Sequence, residues 1–580
     1  MPTFIRTLLV PCLLSLLLLP VSVHAQEQDT TDSASEQDPA ESPQLPEIAP
    51  REFEIRGELQ IAFPELDRQP LSGFASPPSR PSVRVDRTPY VEPYKQELDA
   101  LPDRIPVPET VSAPVQSAPP PLTGFLEAGS GRYFSRFATG HFSVPLSPHE
   151  QVSVRADYTG TEGFTPFSNT TIETPSDALD GRIRLDSRRD PVHLSVTAEG
   201  LIDDYTLYGV AQNPGSSFIP DRTFYSGQIS GRLETVGTTP AELGLHYGQH
   251  QYTTTRSSDV ETTFRERRLR VDGALELPLN GLDGRFDGVF SRSILGGDVP
   301  GGTELDLDAG ASFQVFQESN VTIRAGGRVL WAKGPSFPNQ AQSPTTSSTF
   351  VLPAARAEWT AAPWATVFAE NTPRLDGSSL RAYHRQNPYT DTAPPARPTV
   401  YTTDAQAGVD LTRGWLRFQA DAGYRYAPSY RYYRPQAGRF AVAYGSARIL
   451  HGGGRVALQG VENVQAALDI SLRDGTLPAQ NSDIPYFAKV RTTVMTSVAF
   501  ADGDAYLQAT GTIDGPRTTD LAGANELGSY VAVDVEGSYS VTSTIDLVLR
   551  AENLSPKSPE QWLGYPRPPA QITGGFRIRW

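Results

Sequence analysis

The sequence predicts an all-β chain whose main body is a transmembrane antiparallel β-barrel of about 22 strands. Three observations predict it. Apolar and polar residues alternate with period two in run after run from Leu122 to Trp580, and period two is the period of a strand. Many runs are long enough for a tilted bilayer crossing of about 9–11 residues, where the strands of soluble sandwiches are usually shorter. The polar face of almost every run is charged, with both signs, which is the inversion required when lipid lies outside and water inside. Backbone groups in lipid must all pair, so such a sheet has to close on itself.

Three regions follow in chain order. Residues 1–25 read as a secretory signal peptide: Arg6 supplies the positive start, Leu8 to Leu19 the apolar stretch, and Val23-His24-Ala25 a small-x-Ala cleavage site before Gln26. Cys12, the only cysteine, lies in that signal behind Val10-Pro11, a poor lipobox, so the mature chain is expected to hold no disulfide and no thiolate metal site. Mean hydropathy is -0.35, and no other stretch approaches eighteen apolar residues, so any residence in a membrane has to come from strands. The formal net charge of -16 argues against a nucleic-acid partner.

Residues 26–121 are acidic and Ser/Gln-rich up to Pro50, then Pro-rich from Pro64 to Pro121, and are expected to be mostly irregular. Between those parts Phe53 and Ile55, then Leu59, Ile61 and Phe63, alternate with polar residues. These five are the candidate partner-binding or lumen-inserted residues, with Tyr90–Leu98 as a second anchor. The segment is expected either to enter the lumen in part, within 51–121, or to hang free of it.

Residues 122–580 form the barrel. Leu305, Leu307, Ala309 and Phe313 alternate with Glu304, Asp306, Asp308 and Ser312; Leu416, Phe418 and Ala420 alternate with Arg417, Gln419 and Asp421. Ten tight turns punctuate the runs, at Ser147–Glu150, Arg189–Pro191, Gly237–Pro240, Asn280-Gly281, Glu318–Asn320, Ala362–Trp364, Arg413-Gly414, Glu462-Asn463, Asp502–Asp504 and Thr542–Thr544. Ten hairpins plus a first strand near Leu122–Arg132 and a last near Ala570–Trp580 give the count of 22, with short turns and both barrel termini at one end.

Chemistry-bearing clusters are sparse. Eight histidines lie mostly alone. His246 and His250 share one strand face and are expected to be solvated lumen groups rather than a metal site. No Ser/His/acid cluster stands out, so no enzyme and no cofactor are predicted. Arg425, Tyr426, Tyr430, Arg431, Tyr432 and Tyr433 form an aromatic and basic stretch with two readings. One is an interfacial aromatic girdle; the other is a surface for an anionic or sugar ligand, since Tyr and Arg combine stacking with charge.

Several motifs carry a resemblance. Leu380–Tyr389 followed by Arg397-Pro398, Tyr444–Ile449 followed by Gly452-Gly453-Gly454, Ile484–Val490, and Ala551–Leu554 followed by Gly564-Tyr565-Pro566 and the closing Gly575–Trp580 are similar in content and order to the barrel of TonB-dependent outer-membrane receptors. The last strand also resembles the assembly signal of outer-membrane barrels, carried here by Phe576, Ile578 and Trp580. The resemblance implies a bacterial outer-membrane location with residues 26–121 in the periplasm, contact with outer-membrane lipid and the barrel assembly machinery, and transport of a solute. The alternative is a structural or assembly barrel that docks a periplasmic or cell-surface partner. Family members carry a globular plug before the barrel, and residues 26–121 show neither a plug pattern nor a convincing TonB box. A TonB-type energising complex and a separate periplasmic partner both stay open.

Overall fold

The computed structural model describes residues 123–580, apart from 169–170, 213–217, 238, 258–259, 280, 300, 335–346, 392, 395–396 and 556–559. The predicted signal peptide and the 26–121 segment, with Phe53–Phe63 and Tyr90–Leu98, lie outside the described residues.

The wall is built in chain order from β1 (Gly124–Gly131), β2 (Arg136–Ser147), β3 (Glu150–Thr161), β4 (Ser176–Arg189), β5 (Val192–Thr206), β6 (Asp221–Thr235), β7 (Ala241–Ser257) and β8 (Val260–Leu279). It continues through β9 (Leu282–Gly297), β10 (Thr303–Glu318), β11 (Val321–Lys333), β12 (Ser347–Ala362), β13 (Ala365–Asn371), β14 (Thr403–Arg413) and β15 (Leu416–Gln436). The last part comprises β16 (Arg439–Leu458), β17 (Val464–Leu477), β18 (Val490–Phe500), β19 (Ala505–Asp514), β20 (Tyr530–Ser540), β21 (Ile545–Glu552) and β22 (Gln571–Arg579). Each strand pairs antiparallel with its neighbours in sequence, and β1 pairs with β22, from Phe125↔Arg579 to Gly131↔Thr573, so the described sheet is a closed 22-stranded barrel.

The ten predicted turns fall between the strands at one end, together with Gly124 and Trp580. Their chemistry fits: Gly414 and Asn463 both adopt positive φ, 60° and 64°, the conformation a tight hairpin demands and that Gly and Asn tolerate best. At the opposite end the connections are mostly longer, and the hairpins β7–β8 and β15–β16 rise furthest, with strands of 17 to 21 residues.

Alternation along β22 sorts its side chains as the sequence requires. Phe576, Ile578 and Trp580 are exposed on the outer face, where a membrane-spanning barrel meets lipid. Arg577 and Arg579 face inward and close the seam ionically. The Glu127 carboxylate of β1, almost fully buried, accepts from Arg550 of β21 at 2.5 Å and from Arg577 of β22 at 2.6 Å. Three adjacent strands are thereby joined at one carboxylate, across the junction between first and last strands.

Candidate functional site

β13 is the shortest wall strand, seven residues long, because the chain leaves the wall early. The segment 372–402 that follows turns into the lumen. Its two legs pair through Arg374–Asp376 and Thr399–Tyr401, and at its tip Ser379 caps a short helix, α1 (Leu380–Gln386), by accepting from the Ala382 amide at 3.1 Å.

The tip is held on three sides. On the first, lumen-facing carboxylates of β8 and β10 accept from it. Glu266 Oε2 takes the Leu380 amide at 2.6 Å, Asp308 Oδ2 takes the Leu375 amide at 3.0 Å, and Ser378 Oγ donates to Glu304 at 3.3 Å. Arg268 donates to the Ser378 carbonyl and stands 3.8 Å from Glu266 and 3.9 Å from Asp306. Glu266 is fully buried and Glu304 nearly so. Buried carboxylates persist only where hydrogen bonds and cations replace water, and the inserted backbone supplies a large part of that replacement.

On the second side, β5 and β6 grip α1 and the chain after it. Arg381 pairs with Glu199 at 2.8 Å, and His384 pairs with Asp203 at 2.8 Å while stacking on Phe224 with ring centres 4.0 Å apart. Tyr205 and Arg222 donate to the Pro388 carbonyl at 2.7 and 3.1 Å. On the third side, Arg431 and Tyr433 of β15 both donate to Gln386 at 3.0 Å, and the Tyr383 and Tyr444 hydroxyls lie 2.8 Å apart. Over the top, Tyr389 stacks on Tyr565 of the β21–β22 loop at 3.6 Å, and Tyr208 donates to the Pro566 carbonyl at 2.9 Å. Burial pushes the Tyr389 and Tyr208 phenols above the ordinary tyrosine range, so both remain neutral.

Toward the turn end the lumen is open and charged. Cavities of about 960 and 650 Å³ lie there, lined by ion pairs such as Arg425–Asp404 at 2.7 Å and Arg328–Asp287 at 2.8 Å.

The predicted residues fall as follows. Phe576, Ile578 and Trp580 stand on the outer face of β22. Of the basic and aromatic stretch, Arg425 lines both cavities, Tyr426 is half-buried, and the register shifts between Ala427 and Tyr430. Beyond that shift Tyr430 and Tyr432 pack with Ala447, Ile449, Leu477 and Ile484, while Arg431 and Tyr433 contact the inserted tip. Tyr432 and Tyr433 are buried and do not stand on the lipid-facing surface. His246 sits 3.0 Å from Asp272, and His250 is buried against Ser226 at 2.9 Å; no group of metal-ligating side chains occurs among the described residues.

Glu266, Arg268, Glu304, Arg381 and His384 were not singled out by the sequence. Strand parity put Glu304 on the polar face of its run, but only the tertiary fold shows that the connection after β13 docks on β8 and β10.

Solved structures with the same architecture are outer-membrane receptors and transporters. The siderophore receptor PiuA from Acinetobacter baumannii aligns with a TM-score of 0.58 at 12% identity, covering 79% of this chain and 82% of that one. The ferric-catecholate import receptor Fiu from K12 E. coli, in its closed form, gives 0.57 at 12% identity, covering 79% and 82%. The copper transporter OprC gives 0.57 at 12% identity, covering 79% and 80%. No family model matches the chain, and no curated protein does either. At these identities the likeness establishes the fold alone, a closed 22-stranded antiparallel barrel like theirs.

Proposed function

We propose that this chain is an outer-membrane barrel that moves a solute across the outer membrane, and that its 372–402 segment is the closure on the cell-exterior side. One observation carries the reading: the inserted tip is anchored to buried carboxylates and aromatics on three walls, while among the described residues the charged lumen beyond it holds large cavities. A purely structural barrel has no use for a hollow, charged interior closed by its own connection. The resemblance of the barrel motifs to TonB-dependent receptors and the fold shared with siderophore and copper transporters support the same direction. Residues 26–121 then face the periplasm, where a TonB-type complex or another partner meets them.

Replacing 374–399 by a short Gly/Ser linker tests this in cells. Entry of a bulky antibiotic normally excluded by the outer membrane is expected to rise clearly, with the barrel still folded. Unchanged exclusion in a folded variant would overturn the closure and favour the structural alternative. The same assay on a chain lacking 51–121 decides whether that segment also contributes to closing the barrel.

A further inference from the structure

The larger cavity contains one arginine that is unlike the others. Arg425 has Asp404 at 2.7 Å, Arg491 has Asp514 at 2.6 Å, Arg455 has Asp469 at 3.6 Å and Arg356 has Glu358 at 3.1 Å. Arg473 of β17 has no carboxylate within ion-pair distance among the described residues. Its guanidinium lies over the Phe487 ring at 4.8 Å, and its buried Nε makes no hydrogen bond.

Directly opposite Arg473 in the sheet stands His451 of β16, on the same lumen face. The His451 side chain is 8% exposed, its Nδ1 is 3.7 Å from Asp421, and its buried Nε2 is also without a hydrogen bond. The next residue in that row is Gly423 of β15, where an added Cβ would stand 2.6 Å from the His451 ring. The row therefore holds two unbonded side-chain nitrogens, Arg473 Nε and His451 Nε2, and the His451 ring occupies the space that a side chain at Gly423 would fill. A half-buried guanidinium without a counterion is unfavourable unless an acceptor reaches it, and its planar fork matches carboxylate and phosphate oxygens best.

We propose that Arg473, with His451 beside it in the sheet, is the centre of an oxyanion-binding site, which takes the carboxylate or phosphate group of the solute; as a statement about transport this rests on the function proposed above. Arg473 supplies the paired N–H donors, and His451 is its neighbour across the sheet, with Nε2 turned over Gly423. Phe487 holds the guanidinium plane in place.

The test is a binding titration of the purified full-length chain in detergent micelles, with inorganic phosphate and, separately, with succinate. Saturable binding of at least one is expected; phosphate alone, succinate alone or both would define the accepted oxyanion. Arg473→Gln should weaken it about tenfold or more, since a lost hydrogen bond to a charged group is worth about 1.5–3 kcal/mol. Gly423→Ala, which leaves Arg473 in place but displaces His451, should weaken it less. Arg184→Gln, an arginine outside the cavity, should bind as the parent does. Heat-modifiable gel mobility confirms that each variant is a folded barrel. If the parent chain binds neither ion, or if folded Arg473→Gln binds equally well, the assignment is wrong. Because the titration needs no flux, a chain that binds phosphate yet transports nothing would sink the transport reading and leave this site standing.

Discussion

The two halves of the lumen use the same residue types for different ends. At the loop end Glu266 and Glu304 are buried and hydrogen-bond to the inserted tip, whereas at the turn end pairs such as Arg184–Asp186, at 2.7 Å, stand half-open to solvent. A buried charge costs several kcal/mol to leave unpaired, while an exposed pair contributes about 0–1 kcal/mol. Counting lumen charges along the strands would rank the two ends alike. Burial separates these groups: Glu266 and Glu304 fix the inserted tip, whereas pairs such as Arg184–Asp186 remain open to solvent.

The strongest way to break the comparison is Glu266→Ala. It removes the acceptor of the Leu380 amide and one carboxylate beside Arg268, and should cost about 3–5 kcal/mol of barrel stability. Chemical denaturation followed by tryptophan fluorescence would measure it; a loss below about 1 kcal/mol would mean that the tip is not carried by that wall.

Arg381→Met comes next. It strips Glu199 of its 2.8 Å partner but keeps much of the side-chain volume, and Arg182 still stands 2.8 Å from the same carboxylate. A destabilisation of about 2 kcal/mol is expected, with faster proteolysis within 372–402. Protection equal to the parent's would show that α1 is held without this pair.

Glu127→Gln probes the seam between the first and last strands. Both arginines retain a second acid, with Glu536 3.5 Å from Arg550 and 3.8 Å from Arg577. The loss should accordingly be moderate, about 1–2 kcal/mol, and should appear as lower heat resistance of the folded band on gels. Arg184→Gln at the turn end should change stability by less than about 1 kcal/mol, and less still in high salt. A larger loss there would erase the distinction between the halves.

Much of the wall was legible because its determinants are local. Period two, turn residues such as Gly414 and Asn463, and the parity of Glu304, Asp306 and Asp308 each depend on a few neighbouring residues. The site was not, for two physical reasons. The destination of 372–402 depends on side chains contributed by β5, β8, β10 and β15, far apart in sequence. Parity also loses its meaning where the ladder skips, as it does between Ala427 and Tyr430, so the alternation before the skip does not say which of Tyr430 to Tyr433 meet the inserted tip. Arg473 was hidden differently, since what marks it is the lack of a partner, and a sequence does not show distances.

The short β13 has a mechanical consequence. β12 pairs with β13 only from Ala355 to Ala362, so among the described residues its upper part, 347–354, has ladder bonds on the β11 side alone, with the Asn371 side chain donating to the Pro353 carbonyl at 3.0 Å just above the last rung. A closed barrel resists widening because its hydrogen bonds form an unbroken hoop. At this point the hoop is complete only up to the Ala355↔Asn371 rung, and above it the rim carries a slit beside the place where the inserted segment leaves the wall. Circumferential stiffness is therefore reduced where the inserted segment leaves the wall. Outward movement of 372–402 would widen the rim there by parting strands that share no ladder, with no rung of the wall to break.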